Sequence, residues 1–267
     1  MTLPLQEAAR AAVRGGTPPR DWNPVYRALA AGVVAGAEAA GTAGPADGGT
    51  PEGPETDERT DVLQRQLSAR ALLVVTATQE DGSTRRLRIG LAPDGATFES
   101  SRDGEDSRWW SAPLPAAGEE ILALLAEAGV HGPAALTLDD AAPALRPSPA
   151  QLERVREELA RGAGPEEAFA ALEDLDPRLR DALAARGTRL ALSLTLHDPQ
   201  EGPGDAAAAS FSRLWVRGAL GLYRSDADGP PGQVRPVGDG DVLGTALPLL
   251  EQGLAFAASR TTRGGAR

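Results

Sequence analysis

The chain has 267 residues, a formal net charge of −11, no cysteine and no lysine, every basic side chain but two histidines being arginine. Excess acid argues against a nucleic-acid backbone as partner. Without cysteine there is no thiolate nucleophile, Cys-ligated zinc or disulfide, and without lysine no Schiff base, Walker lysine or lysine general base.

The opening, Met1 to Arg10, lacks a basic start followed by an apolar run, so it does not read as a secretory signal. Leu5 to Arg14 and Trp22 to Ala40 read as peripheral helices, the second with Asp21 as N-cap and Pro24 in its first turn. The most apolar stretch, Ala28 to Ala40, is too short for a bilayer and contains Glu38, so no membrane insertion is expected. Gly41 to Glu58 is rich in Gly, Pro, Thr and acids without periodicity and reads as a disordered linker. A short helix over Thr60 to Ser68 follows. Ala71 to Thr78 is a β-branched apolar strand, Gln79 to Thr84 a turn, and Arg85 to Leu91 the returning strand. There Leu87, Ile89 and Leu91 alternate with Arg86, Arg88 and Gly90, which predicts a hairpin with one face in water.

Ala96 to Ser100 and Arg108 to Ser111 read as further strands, Ala116 to Ala128 as a helix and Ala134 to Leu138 as a strand. The middle is helical in three pieces, opened by Ser148, Pro165 and Pro177. Strand character returns over Arg189 to Leu196, then after a loose loop from Glu201 to Ala207 over Phe211 to Arg217, Leu220 to Arg224 and Gln233 to Val237. A helix from Asp241 to about Ala257 precedes a loose tail, Ser259 to Arg267.

The block Phe98 to Gly104 echoes Tyr223 to Gly229, with the aromatic, Ser, Asp and Gly in step. A biased composition produces such echoes too, but this one predicts two related halves that superpose Phe98 on Tyr223. The fold class expected is therefore α+β: two halves, each an antiparallel sheet with packed helices, related by a pseudo-twofold. The division expected is N-terminal helices over 1–40, a linker over 41–59, a first half over 60–145, a helical segment over 146–188, a second half over 189–258 and a tail over 259–267.

Catalytic candidates are few. His131 lies in a turn, and His197 with Asp198 ends a strand, where adjacent side chains point to opposite faces. A small hydrolase or transferase using His197 with Asp198 or Asp139 is the enzymatic alternative. Gly238 to Gly244 mimics a dinucleotide loop, yet Asp239 and Asp241 would sit where phosphates belong, so Asp239 or Asp241 reads as a helix cap. Acid clusters at Asp139-Asp140, Glu157-Glu158, Glu166-Glu167 and Asp226/Asp228 lack the spacing of a calcium loop. No metal or cofactor is expected. Trp109, Trp110 and Trp215 read as core with some surface.

The block Leu72 to Leu125, the helical segment before Arg189 and the stretch Leu214 to Leu254 together resemble the EspG family of ESX (type VII) secretion-associated chaperones of actinobacteria. A mix of N-terminal helices and an Ala/Leu-rich domain is similar in part to SseB-like proteins. The EspG resemblance implies two related α/β halves, no enzymatic activity, and binding in the cytosol to the tips of paired helical secretion substrates. It assigns no binding residue. The partner-binding residues expected are the hairpin tip Glu80, Asp81 and Gly82, the arginines Arg86 and Arg88 on its wet face, and Trp109 and Trp215. An immunity or inhibitor protein with an acidic blocking surface is the remaining alternative.

Overall fold

The computed structural model describes residues 2–3, 18–39, 54–103, 105–130, 143–170, 172, 174–200, 207–226, 229–230 and 232–264. The Leu5 to Arg14 helix, most of the linker and of the Glu201 to Ala207 loop, the Ala134 to Leu138 strand, His131, Asp139, Asp140 and Asp228 lie outside them.

Sixteen elements are described: β1 Thr2–Leu3, α1 Pro24–Ala39, α2 Pro54–Leu67, β2 Ala71–Thr78, β3 Thr84–Ala92, β4 Gly95–Arg102, β5 Ser107–Ala112, α3 Pro115–Glu127, α4 Pro149–Ala160, α5 Pro165–Ala170, α6 Pro177–Ala184, β6 Arg189–Leu196, β7 Ala209–Arg217, β8 Leu222–Asp226, β9 Arg235–Val237 and α7 Gly240–Gly264. All described strands join one antiparallel sheet in the order β1-β5-β4-β3-β2-β6-β7-β8-β9. Two four-strand meanders, β2 to β5 and β6 to β9, meet along the full length of β2 and β6, from Ala71 opposite Leu196 to Thr78 opposite Arg189. Each meander follows a group of helices and ends in one helix, so the α+β class and the paired halves hold. The halves share one sheet because the apolar edges of β2 and β6 pair with each other, which satisfies both sets of backbone groups.

Strand alternation sends side chains to two faces. On one face Leu73, Val75, Leu87, Ile89, Phe98, Leu192, Leu194 and Trp215 pack beneath Ile121 and Leu124 of α3 and Val242, Ala246 and Leu249 of α7. α7 crosses the seam: a Cβ on Gly253 would stand 2.8 Å from Leu91 Cδ1 and 3.3 Å from both Ala71 Cβ and Leu194 Cδ1, so glycine lets the helix lie this close to β2, β3 and β6 without displacing Leu91. By length and composition Gly240–Ser259, and not Ala28 to Ala40, is apolar enough to cross a membrane. Here its apolar stripe covers the sheet.

The other face carries two separate helical layers. α1 and α2 cover the first meander through Trp22, Tyr26, Ala30 and Leu67 on Leu72 and Trp109. The segment α4 to α6 covers the far end of the second meander through Val155, Ala168, Leu179 and Ala182 on Tyr223 and Val234.

Several local expectations change. α1 is a core element rather than a peripheral one, since Trp22 and Tyr26 are buried. Its cap is Asn23 instead of Asp21: the Asn23 side chain accepts from Val25 N at 3.1 Å and donates to Ala69 O at 2.9 Å, bridging to the loop after α2. α2 starts at Pro54, inside the segment read as linker, because Pro at the first position and acids in the first turn favour a helix start. α7 runs on to Gly264, through most of the segment read as a loose tail. Ser148 caps α4 as expected, in a capping box with Gln151, and Asp176 caps α6.

Phe98 and Tyr223 are not equivalent. Phe98 lies on the α3/α7 face and Tyr223 on the α4–α6 face. A twofold perpendicular to the sheet keeps each side chain on its own face, so the echoed motif does not mark superposable positions.

Candidate functional site

Among the residues singled out from sequence, three form an exposed or half-buried tip. Gln79 N donates to Ser83 O at 2.8 Å and Gly82 N to Gln79 O at 3.0 Å, closing the β2–β3 turn. Gly82 takes φ +87°, a left-handed conformation that disfavours other residues. The Asp81 carboxylate accepts from Ser83 N at 2.8 Å, and hydrogen bonds to Ser83 hold its pKa below the usual aspartate value. Gln79 anchors the turn from both sides: its Nε2 donates to Glu127 O at 3.0 Å, and Thr188 Oγ1 donates to its Oε1 at 3.0 Å. The tip is therefore tied to α3 and to the start of β6, leaving Glu80 and Asp81 exposed.

Arg86 and Arg88 differ from expectation and from each other. Arg88 is 3% exposed and its Nη1 pairs with Glu99 Oε1. Glu99 Oε1 also accepts from Ser107 Oγ at 2.8 Å, and its Oε2 from Tyr26 OH at 2.7 Å. Gln66 Nε2 donates to Tyr26 OH at 2.8 Å. The face read as wet is sealed by α1 and α2, so Arg88 is a buried structural cation. Arg86 is half-buried beside this cluster, and burial, reinforced by the nearby Arg88 charge, lowers its pKa from the usual arginine value.

The two tryptophans expected at a contact surface are both interior. Trp109 is 1% exposed and its ring lies 6.3 Å from that of Tyr26. Trp215 is 2% exposed and donates its indole N–H to Asp241 Oδ2 at 2.8 Å. Asp241 also accepts from Arg224 Nη1 at 2.7 Å, while Asp239 pairs with Arg217 at 2.7 Å. The two acids weighed as helix caps thus spend their carboxylates on the sheet.

His197 is also interior, at 1% exposure, with its backbone N–H on Arg70 O at 2.7 Å. Burial lowers its pKa, Arg27 and Arg70 add to the lowering, and the Arg20 backbone and Asp198 oppose it. The Asp198 carboxylate accepts from Gln200 N at 3.0 Å, an Asx turn at the strand end. Among the described residues no group of three or more His, Cys, Asp or Glu is placed to hold a metal ion.

The surface feature that sequence reasoning missed lies between the two helical layers. Thr76 and Thr78 of β2, Ala191 and Ser193 of β6, and Ser212 and Leu214 of β7 point to the same face and are half-buried or exposed, Leu214 to 49%. With Leu183 of α6 and Ala185 just after it, and Val216 and Ser225, part of this strip forms a groove of about 330 Å³. The alternation in β7, with Ser210, Ser212 and Leu214 on one face, was the available signal. It could not show that the helices on either side stop short of this strip.

No family model matches the sequence, and no curated protein matches it. Among solved structures, the chain is similar to the Mycobacterium tuberculosis type VII secretion system chaperone EspG5, determined in complex with the PE25–PPE41 dimer. The overlay covers 83% of this chain and 84% of that chain at 11% identity, with a TM-score of 0.44.

Proposed function

We propose that the protein is a non-catalytic cytoplasmic binding protein, a chaperone or adaptor for helical type VII secretion substrates. The observation that carries this reading is the uncovered strip over β2, β6 and β7. A sheet face in a domain of this kind is ordinarily covered by a helical layer. Among the described residues this covering layer is interrupted, and Leu214 and Leu183 line the groove together with the small side chains of Thr76, Thr78 and Ala191. A helix or helix pair from a partner supplies the missing layer, burying Leu214 against apolar side chains. The Glu80-Asp81-Gly82 turn follows Thr78 after Gln79 and borders one end of the strip, while Arg86, opposite Thr76 in the ladder, borders its side. These residues orient the partner by charge, Arg86 toward carboxylates and the acidic tip toward basic side chains.

The test is a pull-down of the protein with co-expressed pairs of helical-hairpin proteins. Leu214→Glu is expected to weaken the complex by about a hundred-fold, as for a central contact residue made charged, without lowering the melting temperature. Paired Glu80→Lys and Asp81→Lys substitutions should act mainly on the association rate. Unaltered binding by the Leu214→Glu protein would remove the groove from the reading, and failure of any helical pair to bind the wild-type protein would remove the chaperone function.

A further inference from the structure

The imidazole that no catalytic arrangement uses sits where three segments meet. Leu192, Leu194 and Leu196 of β6 face α7, so alternation turns Thr195 and His197 to the opposite face, that of Leu72, where both are buried beside the α1 layer. His197 N donates to Arg70 O at 2.7 Å, which carries the β2–β6 pairing one step past Ala71 and Leu196. The same short loop holds the start of α1: Asn23 N donates to Leu67 O at 2.7 Å, and Asn23 Nδ2 to Ala69 O at 2.9 Å. The His197 ring is thus enclosed between the end of β6, the 67–70 loop and the residues that open α1.

These surroundings suit a neutral ring. Among the described residues neither Nδ1 nor Nε2 makes a hydrogen bond of normal length and angle. Arg27 from α1 and Arg70 from the loop bring positive charge toward it. The Arg20 backbone before α1 and the Asp198 carboxylate favour a charged ring, but that carboxylate also accepts from Gln200 N at 3.0 Å. A second ring proton creates a buried cation that needs two acceptors, beside two arginines.

We propose that His197 is an acid-sensitive latch: protonation of its ring loosens the first turns of α1 from the β2–β6 seam while the sheet and the α4 to α6 layer stay folded. Part of a fold can open in this way without global unfolding. The inference does not rest on the helical-partner reading. Burial first, then the Arg27 and Arg70 charges, hold the folded-state pKa below the ordinary 6.5. The stabilisation is therefore complete above that value and is lost as pH falls beneath it, where the opened segment binds the proton more readily.

The test follows amide exchange of the full chain from about pH 7.5 to about pH 5.5, corrected for its intrinsic pH dependence, a window above the titration of ordinary carboxylates. Protection of the Tyr26 to Ala30 amides is expected to fall below pH 6.5 by up to about ten-fold per pH unit, the most that one proton supplies. Protection in β3 and in α4 to α6 should stay constant. His197→Gln, polar but without a titrating group, should remove the pH dependence from α1. The histidines are His131 and His197, so the wild-type imidazole NMR signals, assigned with His131→Gln, report the same proton and keep the test open if His197→Gln does not fold. The His197 signal should titrate below 6.5. The proposal is overturned if wild-type α1 protection does not change with pH, if His197→Gln retains the change, or if α4 to α6 lose protection equally. It is overturned too if the His197 signal titrates at or above 6.5.

Discussion

Each half encloses one carboxylate paired with one arginine and one aromatic donor, but the two clusters join different things. In the first half Glu99 of β4 holds Arg88 of β3, Ser107 of β5 and Tyr26 of α1, so it fastens a helical layer to the sheet across 73 residues of sequence. In the second half Asp241, in the first turn of α7, holds Arg224 of β8 and Trp215 of β7, and fastens the opposite face. The first cluster lies under α1 and α2, the second under the start of α7. Pseudo-symmetry of the strands therefore coexists with buried polar chemistry that has moved from one face to the other. A buried ion pair contributes little net stability compared with apolar packing, yet removing one partner leaves the other charged and unpaired. What these clusters supply is a defined position for the helix they hold.

That comparison predicts unequal costs. Glu99→Ala strips partners from Arg88, Tyr26 and Ser107 at once and is expected to cost about 5 kcal/mol in urea unfolding, with loss of amide protection in α1. Asp241→Ala strands Arg224 and the Trp215 N–H and should cost about 3 kcal/mol, with α1 protection unchanged. An Asp241→Ala protein that loses α1 protection would mean the clusters are coupled through the sheet.

The smallest effect separates the clusters by pH, because Tyr26 titrates and Trp215 does not. Burial, then the Glu99 charge, raises the Tyr26 pKa well above the ordinary tyrosine value, and burial also raises that of Tyr223, which donates to Asp181 at 2.8 Å. For a group whose folded pKa is raised, the stabilisation is complete below the unfolded pKa of about 10 and is lost as pH rises beyond it. Stability should therefore fall above about pH 10, and Tyr26→Phe and Tyr223→Phe should each remove a similar share of that slope, while Trp215→Phe should leave it unchanged. An unaltered slope in the Tyr26→Phe protein would place the first cluster's tyrosine in a less constrained site than its geometry indicates.

Much of the local structure was legible because its causes are local. The Ala71 to Thr78 and Arg189 to Leu196 strands follow from β-branched and leucine alternation, and the Ser148, Pro165 and Pro177 helix starts follow from capping and the fixed φ of proline. The errors share another cause. Arg86 and Arg88 alternate as water-facing residues should, and only the arrival of α1 and α2 on that face turns Arg88 into an interior cation. The signal that was present is the acid Glu99 beside Arg88 in the ladder, with Gln66 and Asn23 in segments otherwise destined for the core. Trp109 and Trp215 suit a contact surface as well as a core by strand pattern, because neither strand alone shows what covers it.

The sequence by itself determined the α+β class, the chain positions of the described strands β2 to β9, most helix boundaries between Ser148 and Leu196, and the exclusion of cysteine and lysine chemistry. These depend on side-chain periodicity, backbone restriction and composition, which act within a few residues. Only the tertiary structure decided that the two meanders share one sheet, which arginine is buried, which tryptophans are interior, and where the sheet is left uncovered. Those outcomes depend on which surfaces meet across tens of residues, and a strand's pattern records that it has two faces without recording what lies on each.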